Sequence, residues 1–337
     1  MAKRLGKYAF SFEQPIYIAG WGNIVGQKEA DGPLGSLFDR AEPDLYCGKE
    51  TMEQAEVFLQ QTALENALAR AGLKRQELEL IAAGDLLNQC ISGAYGFRNT
   101  GIPYWGLYGA CSTMALSTLT CGLSIESGLC RLAAALTSSH FGTAERQYRY
   151  PLEYGGQRPP SAQHTVTGSG ALILSKEKSP VRLWGGAFGS IVDQGVTDNN
   201  NMGGAMAPAA LKTLQFYLKE THSSPADYDA IFTGDLGSVG KAVLMDLAAK
   251  SGIDLEKNYQ DCGLMIYDTT KQDMHAGGSG CGCSASVLTA YVLPKMKEGT
   301  LKNVLFLSTG ALMSPISVMQ GESIPSIAHL IHLKGDQ

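Results

Sequence analysis

The chain has 337 residues, 44% of them hydrophobic and 18% charged, enough for two domains or one large α/β fold with a sizeable core. A net charge of −5 argues against nucleic acid as the main partner. No stretch approaches the roughly 18 apolar residues that span a bilayer, and the basic start Met1-Ala2-Lys3-Arg4 leads into neither a long apolar run nor a cleavage site, so neither a transmembrane helix nor a signal peptide is expected.

In chain order, residues 1–50 are rich in Gly, Pro and aromatic residues, with a turn at Asp31-Gly32-Pro33-Leu34-Gly35. Helical spacing starts near Thr51 and runs to about Ala71. Ala55, Phe58, Leu59, Thr62 and Ala63 share one side, and Gly72 supplies a stop. A short buried strand follows at 80–83. A small-residue helix then opens at Cys111 and leads to a strand at 132–137. Residues 141–163 form an inserted loop of Arg, Tyr, Gly and Pro without an amphipathic period, a length that usually serves function or a partner. A strand at 166–174 closes the first half. The second half begins near Pro180, with a helix at 205–220, a strand at 230–233, a helix opening at Cys283 and a strand at 304–307.

The two halves repeat. Glu77-Leu-Glu-Leu-Ile-Ala-Ala-Gly-Asp-Leu86 and Asp227-Tyr-Asp-Ala-Ile-Phe-Thr-Gly-Asp-Leu236 follow one pattern, and the helices opened by Cys111 and Cys283 lead to matching strands. Strands alternating with helices imply parallel sheets covered on both faces. Two halves, 1–178 and 179–337, then suggest an α/β fold stacked as a five-layer α-β-α-β-α sandwich with a ligand site between them. Cys111 at a helix start feels the positive end of the helix dipole, which favours its thiolate and makes it a plausible nucleophile. The eight cysteines are expected reduced. Cys281-Gly282-Cys283 with Cys262 lacks zinc-ligand spacing, so no metal site and no cofactor are expected.

Gly109-Ala-Cys-Ser-Thr113, a cysteine at the start of a buried helix in a duplicated βα frame, resembles the thiolase superfamily. Further motifs narrow this: Ala83-Gly-Asp-Leu-Leu-Asn-Gln89, Thr137-Ser-Ser-His140, Ala144-Glu-Arg-Gln147, Tyr154-Gly-Gly-Gln157, Met206-Ala-Pro-Ala-Ala210, Gly277-Gly-Ser-Gly280 and Thr309-Gly-Ala-Leu312. Together, in order, they resemble the stage V sporulation protein AD family of spore-forming bacteria. The resemblance implies a thiolase-like fold and binding of dipicolinic acid (pyridine-2,6-dicarboxylate) for uptake into the developing spore. It also implies that condensing enzymes of the superfamily add a His, and a second His or Asn, from the second half. Asp235 stands where the first is wanted, Gly280-Cys-Gly-Cys-Ser284 where the second is wanted, and His275 is the nearest imidazole. The catalytic set therefore reads as incomplete. The expectation is a non-catalytic binding protein; the alternatives are an acyl-CoA condensing enzyme or acyltransferase using Cys111, and a scaffold with a vestigial pocket.

A planar dicarboxylate asks for cations or several backbone N–H groups, and for flat apolar surface. The expected ligand-binding residues are Cys111 as a pocket wall, His140 at a strand end, Arg146 and Arg149 on the inserted loop, and Asp85 and Asp235. Amides of 109–113 and 277–280 add donors. The two aspartates read first as caps of their Gly-Asp-Leu turns, and second as aids to any calcium arriving with the ligand. Segment 198–205 reads as an N-cap or as a cover of the pocket. Analogy adds a homodimer, membrane proteins of the same uptake system as partners, and a place in the forespore or spore, peripheral to the inner membrane.

Overall fold

Thr51 and Gly72 bound the first long helix, α1 (Met52–Ala71). The Thr51 side chain accepts the Gln54 N–H at 3.2 Å, and Gly72 turns the chain out at φ 68° without a Cβ clash. The computed structural model describes residues 2–148 and 158–335. Its main strands in the first half are β1 (Ala9–Gly26), β2 (Leu80–Gly84), β3 (Tyr104–Gly106), β4 (Leu132–Ser139) and β5 (Gly168–Ser175), in the spatial order β3-β2-β4-β5-β1. The second half repeats this with β6 (Val181–Ala187), β7 (Ala230–Thr233), β8 (Tyr259–Asp261), β9 (Asn303–Ala311) and β10 (Ser326–Gly335), ordered β8-β7-β9-β10-β6. β1 pairs antiparallel with β6 and joins the two sheets.

The sheets are mixed, not parallel. β3, β2 and β4 run parallel, whereas β5 and β1 are antiparallel additions, and β10 and β6 repeat that in the second half. β5, the next of these strands after β4, and β10, the next after β9, each pair antiparallel with the strand just left, and only parallel pairs require a helical crossover. β1 was not legible because Gly20 and Gly22 look like turn residues. They are instead close approaches: a Cβ on Gly20 would lie 2.4 Å from Ala67 O, and one on Gly22 2.4 Å from Ala67 N, so α1 rests almost directly on the strand.

Helix α1 and the short α2 (Ile91–Phe97) cover the outside of the first sheet. Helices α5 (Met202–Thr221) and α6 (Gly237–Lys250) cover the second. Between the sheets lie α3 (Thr113–Glu126) and α7 (Cys281–Val287), which touch strands of both halves. This is a thiolase-like α/β sandwich of five layers. Met114, Leu119 and Ile125 of α3 pack with Val287, Phe232 and Phe306 in the shared central core. One expectation needs correction: the inserted segment opens as a helix, α4 (Phe141–Tyr148). Its buried side is Gly142, Thr143, Ala144 and Glu145, and polar bonds hold it: Thr143 donates to Glu56 Oε2 at 2.9 Å and Thr165 to Glu145 Oε1 at 3.0 Å. Such bonds leave no apolar stripe in the sequence. Arg149 lies outside the described residues.

Candidate functional site

Cys111 stands on a tight elbow before α3. Ala110 takes φ 48°, the left-handed region that a Cβ disfavours. Local bonds hold it there: Ser112 N–H and Oγ–H both donate to Gly109 O, at 3.0 and 2.6 Å, while Thr113 Oγ accepts Gly109 N–H and donates to Ala110 O. The amides of Gly109, Ser112 and Gly280, expected as ligand donors, are spent on these contacts and on Asp235.

Cys111 faces a cavity of about 30 Å³. It is lined by Ala110, Cys111, Ser279 and Ala311, by Ala144, Glu145 and Tyr148 of α4 with Thr165, and by Leu86, Met202 and Met313. Tyr148 Oη–H donates to Leu86 O, so the bond to Tyr108 is made by the Tyr108 hydroxyl, donating to Tyr148 Oη at 2.9 Å. Both rings line the cavity. Its volume is small against the roughly 300 Å³ at which small-molecule pockets begin, so an aromatic ligand requires its walls to move.

Behind Cys111 lies Asp235, fully buried. Its Oδ1 accepts Thr309 Oγ–H at 2.7 Å and its Oδ2 accepts Gly280 N–H at 2.8 Å, and the Cys111 thiol lies beside the same carboxyl. Burial raises the Asp235 carboxyl to about 7. The helix-start argument for a reactive thiolate does not survive this geometry. Burial, reinforced by the Asp235 and Cys281 groups, pushes the Cys111 thiol well above its ordinary value. Among the described residues no imidazole lines the cavity. His275 is turned away, with Nδ1 donating to Pro159 O and Nε2 on Asp273.

The shared Gly-Asp-Leu turns have diverged. Asp85 caps its own loop, accepting Leu87 N–H at 2.9 Å and Gly93 N–H at 3.1 Å. In the second copy that work falls to Asp261, which accepts Leu236 N–H at 2.8 Å and Gly237 N–H at 2.9 Å. Asp235 is thereby released toward Cys111. The capping expectation thus holds for Asp85, which does not line the cavity, and is corrected for Asp235. His140 is corrected as a wall residue. It is fully buried, its Nε2–H donates to Leu45 O at 2.7 Å, its Nδ1 accepts Gly142 N–H at 3.1 Å, and burial lowers its pKa. Arg146 is half exposed and pairs with Glu53 on the outer side of α4, away from the cavity. Asn201 caps α5 by accepting Gly204 N–H, and the next residue, Met202, lines the cavity, so segment 198–205 serves in both expected ways. Tyr108, Met313 and Glu145 were not foreseen as walls. Only the Tyr-rich character of the inserted segment hinted that a tyrosine such as Tyr148 lines the cavity.

The comparisons with known proteins agree with this frame. The family described as stage V sporulation protein AD matches residues 6–334. Stage V sporulation protein AD of Bacillus subtilis (strain 168) is 42% identical over 327 residues, covering 97% of this chain and 96% of that protein. Among solved structures, 3-oxoacyl-[acyl-carrier-protein] synthase III from Aquifex aeolicus VF5 superposes with a TM-score of 0.58, covering 95% of this chain and 99% of that one at 14% identity. Cerulenin-bound OleA of Xanthomonas campestris gives 0.59, with 95% and 97% covered at 14% identity. At that identity the two synthases are alike in fold alone.

Proposed function

The chain belongs to the stage V sporulation protein AD family, and from that premise we propose that it is a non-catalytic receptor for dipicolinic acid in the uptake of that compound into the developing spore. Its sporulation role follows from the family. The observation that carries the receptor reading is the Cys111 cavity, where a thiol faces a carboxyl instead of an imidazole. A condensing enzyme needs a thiolate nucleophile and groups that handle protons and an oxyanion. Here burial and Asp235 both oppose the thiolate. What is left is a small chamber with a thiol, hydroxyls and methionine walls at the C-terminal ends of β2 and β4, the edge at which open α/β sheets take ligands.

In this reading the protein acts beside membrane proteins of the same uptake system. Among the described residues no helix is long and apolar enough to cross a membrane, so attachment to the inner membrane runs through those partners. A homodimer belongs to the same proposal. The short edge strand β3, with Trp105 37% exposed, offers a sheet edge for it.

Calorimetry tests the reading. Dipicolinate is expected to give saturable heat and benzoate, with one carboxylate, none; equal heats from the two would sink a specific receptor. In parallel, incubation with acetyl-CoA at neutral pH is expected to leave the intact mass unchanged. An acetyl adduct on Cys111 would establish the acyltransferase alternative instead.

A further inference from the structure

We propose that the cavity takes its aromatic dicarboxylate together with one proton, which is held on Asp235 and turns the Cys111 thiol toward the ligand. This rests on the receptor reading and adds the regulation of the same site. The argument starts from charge. Among the described residues, none that line the cavity is Lys, Arg or His, and the acidic one among them, the buried Glu145, accepts a bond from Thr165 at 3.0 Å. The groups packed around Asp235 are the Asp261 carboxyl behind it, the thiols of Cys111, Cys262, Cys281 and Cys283, the hydroxyls of Thr309 and Ser279, and the Gly280 amide. None of these is a cation. A dianion entering beside an ionised, fully buried carboxylate meets repulsion that little solvent screens. A proton on Asp235 removes that charge.

The proton also changes the direction of the thiol. Thr309 Oγ–H and Gly280 N–H already donate one bond to each Asp235 oxygen. An ionised Asp235 accepts the Cys111 S–H as a further bond, and the thiol hydrogen points away from the cavity. A protonated Asp235 donates its own O–H to Sγ, and the S–H is released to donate to a ligand carboxylate. The step is a proton transfer only. Buffer acid loses the proton, an O–H bond forms on Asp235, and no electrons change hands. Burial already raises Asp235 to about 7, so the proton costs little near neutral pH. Asp235 is in this sense a positioning residue: it acts through Cys111.

Linkage gives the expected pattern. Well below pH 7 Asp235 is protonated before the ligand arrives, so binding takes up no proton and affinity is level. Above pH 7 binding takes up close to one proton, and affinity falls by about tenfold per pH unit. The test is calorimetry of the whole chain with dipicolinate at about pH 5.5 in acetate and in MES, and at about pH 8.5 in borate and in Tris, the two members of each pair differing in ionisation heat. The buffer-dependent part of the heat counts protons. Uptake near zero at the lower pH and near one at the higher is expected. Asp235→Asn is expected to bind with no uptake at either pH and with a pH-independent affinity. Heat without buffer dependence at pH 8.5 overturns this inference while leaving the receptor reading in place, and the unmodified protein suffices for that result. Uptake that persists in Asp235→Asn overturns the assignment to Asp235. Absence of heat at both pH values overturns the receptor reading and this inference with it.

Discussion

Raising the pH from about 6.5 to about 8 is expected to lower the stability of the folded chain by roughly 3 kcal/mol. Two fully buried carboxyls cause it. Burial, with the neighbouring Asp85 carboxyl, raises Glu56 to about 8, and burial raises Asp235 to about 7. Both values lie above those of the unfolded chain, so their contribution is fully present below about pH 4 and is lost as pH rises through the folded values. Two buried histidines act in the opposite sense. Burial lowers His329 to about 4 and His332 to about 3, so their contribution is present above about pH 6.5 and is lost as pH falls. Between about pH 4 and 6 burial also raises Asp85 and Asp261 to about 6, which adds to the carboxyl slope, so the histidines offset it only in part. Above 6.5 only the carboxyls titrate, over about one and a half pH units for Glu56 and half a unit for Asp235, at about 1.4 kcal/mol per unit. Thermal melts at pH 6.5 and pH 8 are expected to differ by several degrees. Glu56→Gln, which keeps a group for the Ser138 and Thr143 hydroxyls at 2.8 and 2.9 Å, is expected to flatten most of that difference. Identical melting temperatures for the unmodified chain at the two pH values would show that these carboxyls are not held neutral.

Gly310→Ala is expected to cost about 1–3 kcal/mol and to abolish dipicolinate heat. Gly310 sits near the end of β9, directly against the Cys111 elbow. A Cβ there would lie 2.4 Å from Gly109 O, 3.1 Å from Ser112 N and 3.4 Å from Cys111 N. These are backbone atoms, so no side-chain rotation relieves the clash. The elbow has little room to yield, because Ala110 is already left-handed and Gly109 O already accepts two bonds from Ser112. The substitution therefore pushes on the same few atoms that aim Cys111 into the cavity. A lowered melting temperature, a lost binding signal and a retained far-ultraviolet spectrum are the expected results. Unchanged affinity would mean that the elbow does not set the site.

How much of this was legible depends on the range of each interaction. Helix α1 was readable because its cap, its apolar side and its stop all lie within 22 residues, and β7 was readable as a short apolar run before Gly234. Helix α4 was not, because Glu56 and Thr165, which hold it, come from distant parts of the chain. His140 was placed at the right strand end, yet its ring turns to the Leu45 carbonyl, a contact 95 residues away in sequence.

The amino-acid sequence by itself determined the duplication, the alternation of strands and helices, and the cysteine that opens a buried helix. Those rest on local pattern, on spacing along a helix or strand, and on turns that a few adjacent residues specify. Only the tertiary structure decided what the duplicated Gly-Asp-Leu turns do. Both copies read alike, but in the second Asp261 caps the loop and Asp235 turns to the thiol. The physical reason is that a buried carboxyl takes whichever donors the packed sheets bring to it, and those of Asp235 lie on β9, just before α7 and at Cys111 before α3, far from it along the chain.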